Sequence, residues 1–132
     1  MSTIQDLFSQ PIDRRIEKVI QFQDREEELL RQEIDECVVT DNIASSIEHL
    51  LDVLDDGSVS GGGAEIGVWV DGFYGIGKSS MTKYLGFALD GRRKIGETPF
   101  RDLFKNKLTS IQLQQRLSTV ATRFNPAVVM ID

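Results

Sequence analysis

The chain has one cysteine, Cys37, in 132 residues, so it can form no internal disulfide. The cytoplasm is the compartment this cysteine usage suggests. With no general base beside it in sequence, Cys37 reads as a core thiol rather than a nucleophile. It has one histidine, His49, with no second ligand candidate around it, which argues for a surface or packed side chain over a metal site. No apolar run approaches the roughly 18 residues a membrane span needs. The opening, from Met1 to Phe8, has neither a basic n-region nor an apolar h-region, so no secretory signal is expected of it.

A hydrophobic fraction of 40% and a charged fraction of 27% are ordinary for a soluble globular chain, long enough for one small core. The net charge of -6 is unevenly spread. Residues 24–56 hold 12 acidic and 2 basic side chains, whereas residues 72–125 hold 3 acidic and 10 basic. A basic half can favour DNA. It can equally balance the acidic half or attract an anionic nucleotide.

One stretch carries chemistry. From Gly72 to Ser79 the sequence is G-x-x-x-x-G-K-S, preceded by the apolar run Ile66 to Val70 and followed by a helical pattern. Strand, glycine-rich turn and helix in that order are the context of a phosphate-binding loop. Glycines 72, 75 and 77 let the backbone wrap closely. The amides of Gly75, Ile76, Gly77, Lys78 and Ser79 are expected to form an anion nest. The helix starting near Lys78 adds its free amides and dipole. Lys78 is expected on the β- and γ-phosphates and the Ser79 hydroxyl on Mg²⁺. By similarity to phosphate-loop proteins generally, Ser80 is placed for the α-phosphate. No Asn-Lys-x-Asp guanine-reading motif is present, and the loop motif alone does not choose ATP over GTP.

The remaining elements follow from periodicity and punctuation. Residues 4–22 predict a short helical turn, a loop at Pro11 and a strand from about Lys18, with Asp13 and Arg14 as a surface ion pair. Asp24 opens a helix over about 25–37, with Leu29, Leu30, Ile34 and Cys37 on its apolar stripe. Thr40 or Asp41 caps a second helix over about 42–55, whose stripe is Ile43, Ile47, Leu50, Leu51 and Leu54. Asp55 through Gly63 reads as a flexible loop. The helix from Lys78 to about Leu89 buries Met81, Leu85 and Ala88, with Tyr84 beside them, and Asp90-Gly91 ends it. Arg92, Arg93 and Lys94 are read as solvated loop charge. Two helices follow, over about 100–107 after Pro99 and about 109–123, the latter capped by Thr109 or Ser110 and ended by Asn125-Pro126.

Ala127 to Ile131 predicts a second buried strand, ending in Asp132. Four apolar residues and an acid resemble the second nucleotide-binding motif of phosphate-loop enzymes, where the carboxylate orients magnesium. The same pattern occurs in many ordinary buried strands, so Asp132 stands as a candidate Mg²⁺ acid beside Ser79. These elements predict an α/β fold: a partial parallel sheet with flanking helices, of the P-loop NTPase kind, preceded by an N-terminal helical segment. The expected division is a leading segment 1–57, a glycine-rich loop 58–64 and a core 65–132. Too few strands are present to close a doubly wound domain, so the chain is expected to be the N-terminal piece of a longer ATPase.

On these residues the chain resembles the large P-loop ATPases of bacterial BREX phage-defence systems, the BrxC/PglY family. The resemblance rests on Asp6-Leu7-Phe8 with Pro11-Ile12-Asp13-Arg14 and Val19-Ile20, on Val38-Val39-Thr40, on Gly72 to Ser79, and on Ile131-Asp132. It implies an AAA-like ATPase core that binds ATP and Mg²⁺ and acts with other BREX components, a DNA methyltransferase and a phosphatase-like protein among them. It implies restriction of phage DNA and support of host methylation. By position it places Val38, Val39 or Thr40 against adenine. Ile76 stands where a small polar residue is expected, and Ser80-Met81 where the family often has His-Phe. Three other functions remain open: another AAA-type remodelling ATPase, a small P-loop kinase, or a module that binds nucleotide without hydrolysis to engage a partner protein.

Overall fold

The computed structural model describes residues 3–14, 27–59, 67–73, 75 and 77–131. Within them lie helices α1 (Glu27–Glu36), α2 (Asp41–Val59), α3 (Lys78–Leu89), α4 (Phe100–Lys105) and α5 (Ile111–Phe124), with a short 3-10 turn at Ile4–Leu7. Strands β1 (Lys94–Ile95) and β2 (Thr98–Pro99) form one antiparallel hairpin between α3 and α4. Its two-residue turn begins with Gly96 at φ 58, a left-handed value for which glycine is suited.

Helix ends follow local chemistry. The Thr40 carbonyl accepts from the Ala44 amide at 2.8 Å and its hydroxyl lies 3.4 Å from the Ile43 amide, so Thr40 caps α2. Ser110 caps α5 by accepting from the Leu113 amide at 3.2 Å. Asn125 closes α5 in the left-handed region, at φ 41, and its amide reaches the Ala121 carbonyl. The end of α3 is closed from outside. Arg101, on α4, donates to the carbonyls of Ala88 and Leu89, placing a cation at the negative end of the helix dipole.

The core is built by helices. Phe100 and Phe104 are fully buried among Leu30, Ile34, Leu51, Tyr84, Phe87, Leu113 and Leu117. The Phe87 and Phe100 rings meet edge to face with centroids 5.6 Å apart. α3 packs on α4 and α5, and α2 packs on α5. Arg116 of α5 bridges Asp52 and Asp55 of α2, and Arg123 also pairs with Asp55.

The expected parallel sheet is overturned. The described residues are mostly helical, and their strand content is the two-stranded antiparallel hairpin. Residues 67–70 and 127–131 join no ladder. Trp69 is 89% exposed, and Val68 and Val70 are about half exposed, which a doubly covered strand would not allow. Residues 127–131 rest on α3 through Val128 and Met130 while Val129 and Ile131 face outward. An apolar run reports a tendency to be buried; it does not supply the neighbouring backbone that a ladder requires. Here helical side chains fill the core instead.

Two smaller expectations change. α2 runs on through Gly57 to Val59, where a loop was expected from Asp55. Arg14 turns to Glu36 rather than to Asp13, with Nε 2.5 Å and a terminal nitrogen 3.1 Å from its two carboxylate oxygens. The strand expected near Lys18, the glycine triplet, Ile76 and Asp132 lie outside the described residues.

Candidate phosphate-binding loop

The loop leads directly into α3. Gly72, Gly75 and Gly77 have φ of 145, 84 and 84, values that side-chain-bearing L residues rarely adopt. Gly77 occupies the N-cap position of α3, and its carbonyl accepts the first helical hydrogen bond, from Met81, at 2.9 Å. With glycine there, no side chain caps the helix and its first turn holds no acid. The leading amides and the positive end of the dipole are thus left to an outside anion.

Lys78 ties the loop together. Its Nζ donates to the Gly72 carbonyl at 2.8 Å and to the Phe73 carbonyl at 2.6 Å. The ammonium therefore ties the first residue of α3 back to the start of the loop. Ser79 is exposed, and Ser80 is half-buried on the same first turn. Thr82 donates from its hydroxyl to the Lys78 carbonyl at 2.9 Å, reinforcing that turn. Phe73, in the loop itself, is 88% exposed. Cation, two hydroxyls and glycine-shaped backbone are thus brought to one helix end. Chemically this can hold a compact polyanion, and Ser79 offers a hard oxygen donor of the kind Mg²⁺ takes.

The other sequence candidates fall elsewhere. Val38 and Thr40 are exposed and Val39 is partly buried against the core. Cys37 is half-buried, and burial pushes its thiol pKa up, only partly countered by Lys107. That keeps the thiol protonated, in line with a packing role. His49 is exposed. Arg92 grips Asp90 with two nitrogens at 3.0 Å, holding the Asp90 carboxyl below its usual range. Arg93 lies over the Phe87 ring at 4.2 Å, and Lys94 is exposed on β1. Among the described residues no three His, Cys, Asp or Glu side chains converge on a point.

The sequence reading passed over one pair. Lys83, on α3, is fully buried, and its Nζ donates to Glu33 of α1 at 2.8 Å. A lysine bracketed by Tyr84, Leu85 and Phe87 in a helix that buries one side was the available signal.

No protein-family model and no solved structure matches this chain. Among the described residues no helix is long and apolar enough to cross a membrane.

Proposed function

We propose that the chain binds the polyphosphate of a nucleotide, ATP with Mg²⁺, at the loop from Gly72 to Ser80. The observation that carries this reading is the union of Lys78 with an uncapped helix start shaped by positive-φ glycines. Lys78, now held by two carbonyls of its own loop, exchanges part of that contact for phosphate oxygens. The amides of residues 75–79 hold the same oxygens. Ser79 and phosphate oxygens would hold Mg²⁺, which neutralises charge on the polyphosphate; Mg²⁺ commonly takes only one or two protein ligands. Asp132 remains the proposed acid for that ion, on its sequence position alone. This reading rests on the loop and α3; the strand that ordinarily precedes a phosphate loop is not formed by residues 67–70.

In the cell we place this activity in the cytoplasm, in the N-terminal part of a BREX-type ATPase acting with other components of that system. Support for this assignment is the resemblance of Asp6-Leu7-Phe8, Pro11-Ile12-Asp13-Arg14 and the loop. Direct DNA contact and self-association are compatible with this assignment and are not required by it. A second reading is a module that binds nucleotide without hydrolysing it. It is favoured by the exposed Trp69 beside the loop and Phe73 within it, which give a partner apolar surface next to the nucleotide.

The test is a titration with ATP and with GTP, each with and without Mg²⁺, with phosphate release followed in the same samples. Magnesium-dependent ATP binding supports the main reading; turnover separates the ATPase from the binding module. Absence of binding by a folded chain would remove both.

A further inference from the structure

Lys83 is the one charged side chain among the described residues that is fully buried, and it lies on the helix that begins with the phosphate loop. Its partner Glu33 comes from α1, 50 residues earlier, and that side chain is itself only 15% exposed. An ion pair so placed is a poor device for stability alone. Withdrawing both charges from water is costly, and apolar side chains of similar volume often serve as well or better. A charged hydrogen bond does what a methyl contact cannot: it is directional, and it resists rotation of one helix about its axis relative to another.

The position of Lys83 gives that resistance a use. Residues four apart lie on one helix face, so Lys83 is one turn below Ser79. Side chains on a helix lean toward its N-terminus, so the Lys83 stem lies along the turn that presents Lys78, Ser79 and Ser80. We propose that Lys83 and Glu33 are a positioning pair for the phosphate loop, fixing the rotation of α3 so that its first-turn amides and the Ser79 hydroxyl face the bound polyphosphate. This rests on the phosphate-binding reading for its consequence, though the ordering of the helix start is independent of any ligand.

The experiment uses the full chain and two variants. Lys83→Met combined with Glu33→Met removes both charges at similar volume, so that neither is left buried without its partner. Glu33→Gln keeps the shape and a hydrogen-bond acceptor at the less buried end, and it carries the test if the double variant fails to fold. Three quantities are read: melting temperature, amide hydrogen exchange over residues 77–82 against α5 without nucleotide, and Mg²⁺-ATP affinity. The pair as a positioning device predicts a melting temperature within a few degrees of wild type and faster exchange at the start of α3 alone. It also predicts affinity weakened by about ten-fold, the scale seen when a supporting partner of a bound group is lost. A smaller effect of the same sign is expected for Glu33→Gln. A folded variant with unchanged exchange and unchanged affinity overturns the proposal, as does exchange that rises equally in α5. Faster exchange confined to residues 77–82, in a protein whose wild type binds no ATP, keeps the positioning role and removes the nucleotide reading.

Discussion

Replacing Gly77 by alanine separates the conformational demand of the loop from packing. Gly77 stands at φ 84 and ψ 19, and a Cβ built there meets no atom within 4 Å. The cost is therefore backbone strain, about 1–2 kcal/mol for an L residue held in the left-handed region. Alanine also restricts the unfolded chain, returning about 0.4–1 kcal/mol. The net loss of stability lies between about 0 and 1.6 kcal/mol, a fall of no more than roughly 10 °C in melting temperature. Phosphate binding is expected to suffer more. An alanine that relaxes to negative φ rotates the peptide entering Lys78, turning that amide away from the anion and disturbing the Lys78 tie. Loss of one charge-assisted hydrogen bond is worth about 1.5–3 kcal/mol, or more than ten-fold in affinity. Thermal melting and equilibrium binding of Mg²⁺-ATP, with Gly67→Ala as control, measure both. Gly67 has open space around it and no positive φ, so its substitution is expected to leave both quantities near wild type. Undiminished affinity in Gly77→Ala would refute the claim that loop conformation creates the binding site.

The effect of Gly86→Ala should depend on its surroundings. The added methyl would overlap Met130 Cε, the end of a flexible side chain that can swing aside, and come within 3.3 Å of Val128 Cγ1, so the cost should sit at the low end of overpacking, about 1 kcal/mol. In a Met130→Ala background most of that overlap is gone, and the helix-propensity gain of up to about 1 kcal/mol should emerge in denaturant unfolding. Ser110→Ala removes the cap on Leu113 and should cost about 1 kcal/mol by the same measurement. The tie between residues 3–14 and α1 should be pH-sensitive. Hydrogen bonding to Arg14 holds the Glu36 pKa below its ordinary 4.5, so its contribution is present above 4.5 and is lost as pH falls through the lower native value. Limited proteolysis with an acid-tolerant protease should show the segment released in that acid range and protected at neutral pH.

Much of the helical frame is legible in the residues themselves. α3 begins at Lys78 because the loop motif demands a helix there, and the Ser110 cap and Asn125-Pro126 stop bracket α5. The stripes of α1 and α2 read correctly at Leu30, Ile34, Ile47 and Leu51. What failed did so where local signals depend on distant partners. Ile66 to Val70 and Ala127 to Ile131 have strand-like composition, yet pairing is a property of two segments and neither run names its neighbour. Asp55 through Val59 read as loop, but an isolated helical glycine such as Gly57 costs only about 1 kcal/mol. Here the turn before it is held to α5 by the Asp52 and Asp55 pairs with Arg116 and Arg123. The pairing of Lys83 with Glu33 was not legible because the partner lies on another helix; only the burial of Lys83 had a local signal, in its apolar neighbours Tyr84, Leu85 and Phe87. Within the loop, the motif anticipated the glycine conformations, whereas the grip of Lys78 on two loop carbonyls needed coordinates.

The most direct test of the central claim is equilibrium binding of Mg²⁺-ATP to wild type and to Lys78→Ala, with circular dichroism on the same samples. The loop reading predicts saturable, magnesium-dependent binding by wild type, weakened by more than ten-fold in a variant of unchanged helical content, since an ammonium-to-phosphate contact is among the stronger hydrogen bonds. Equal binding by the two proteins, or none by a folded wild type, would contradict it.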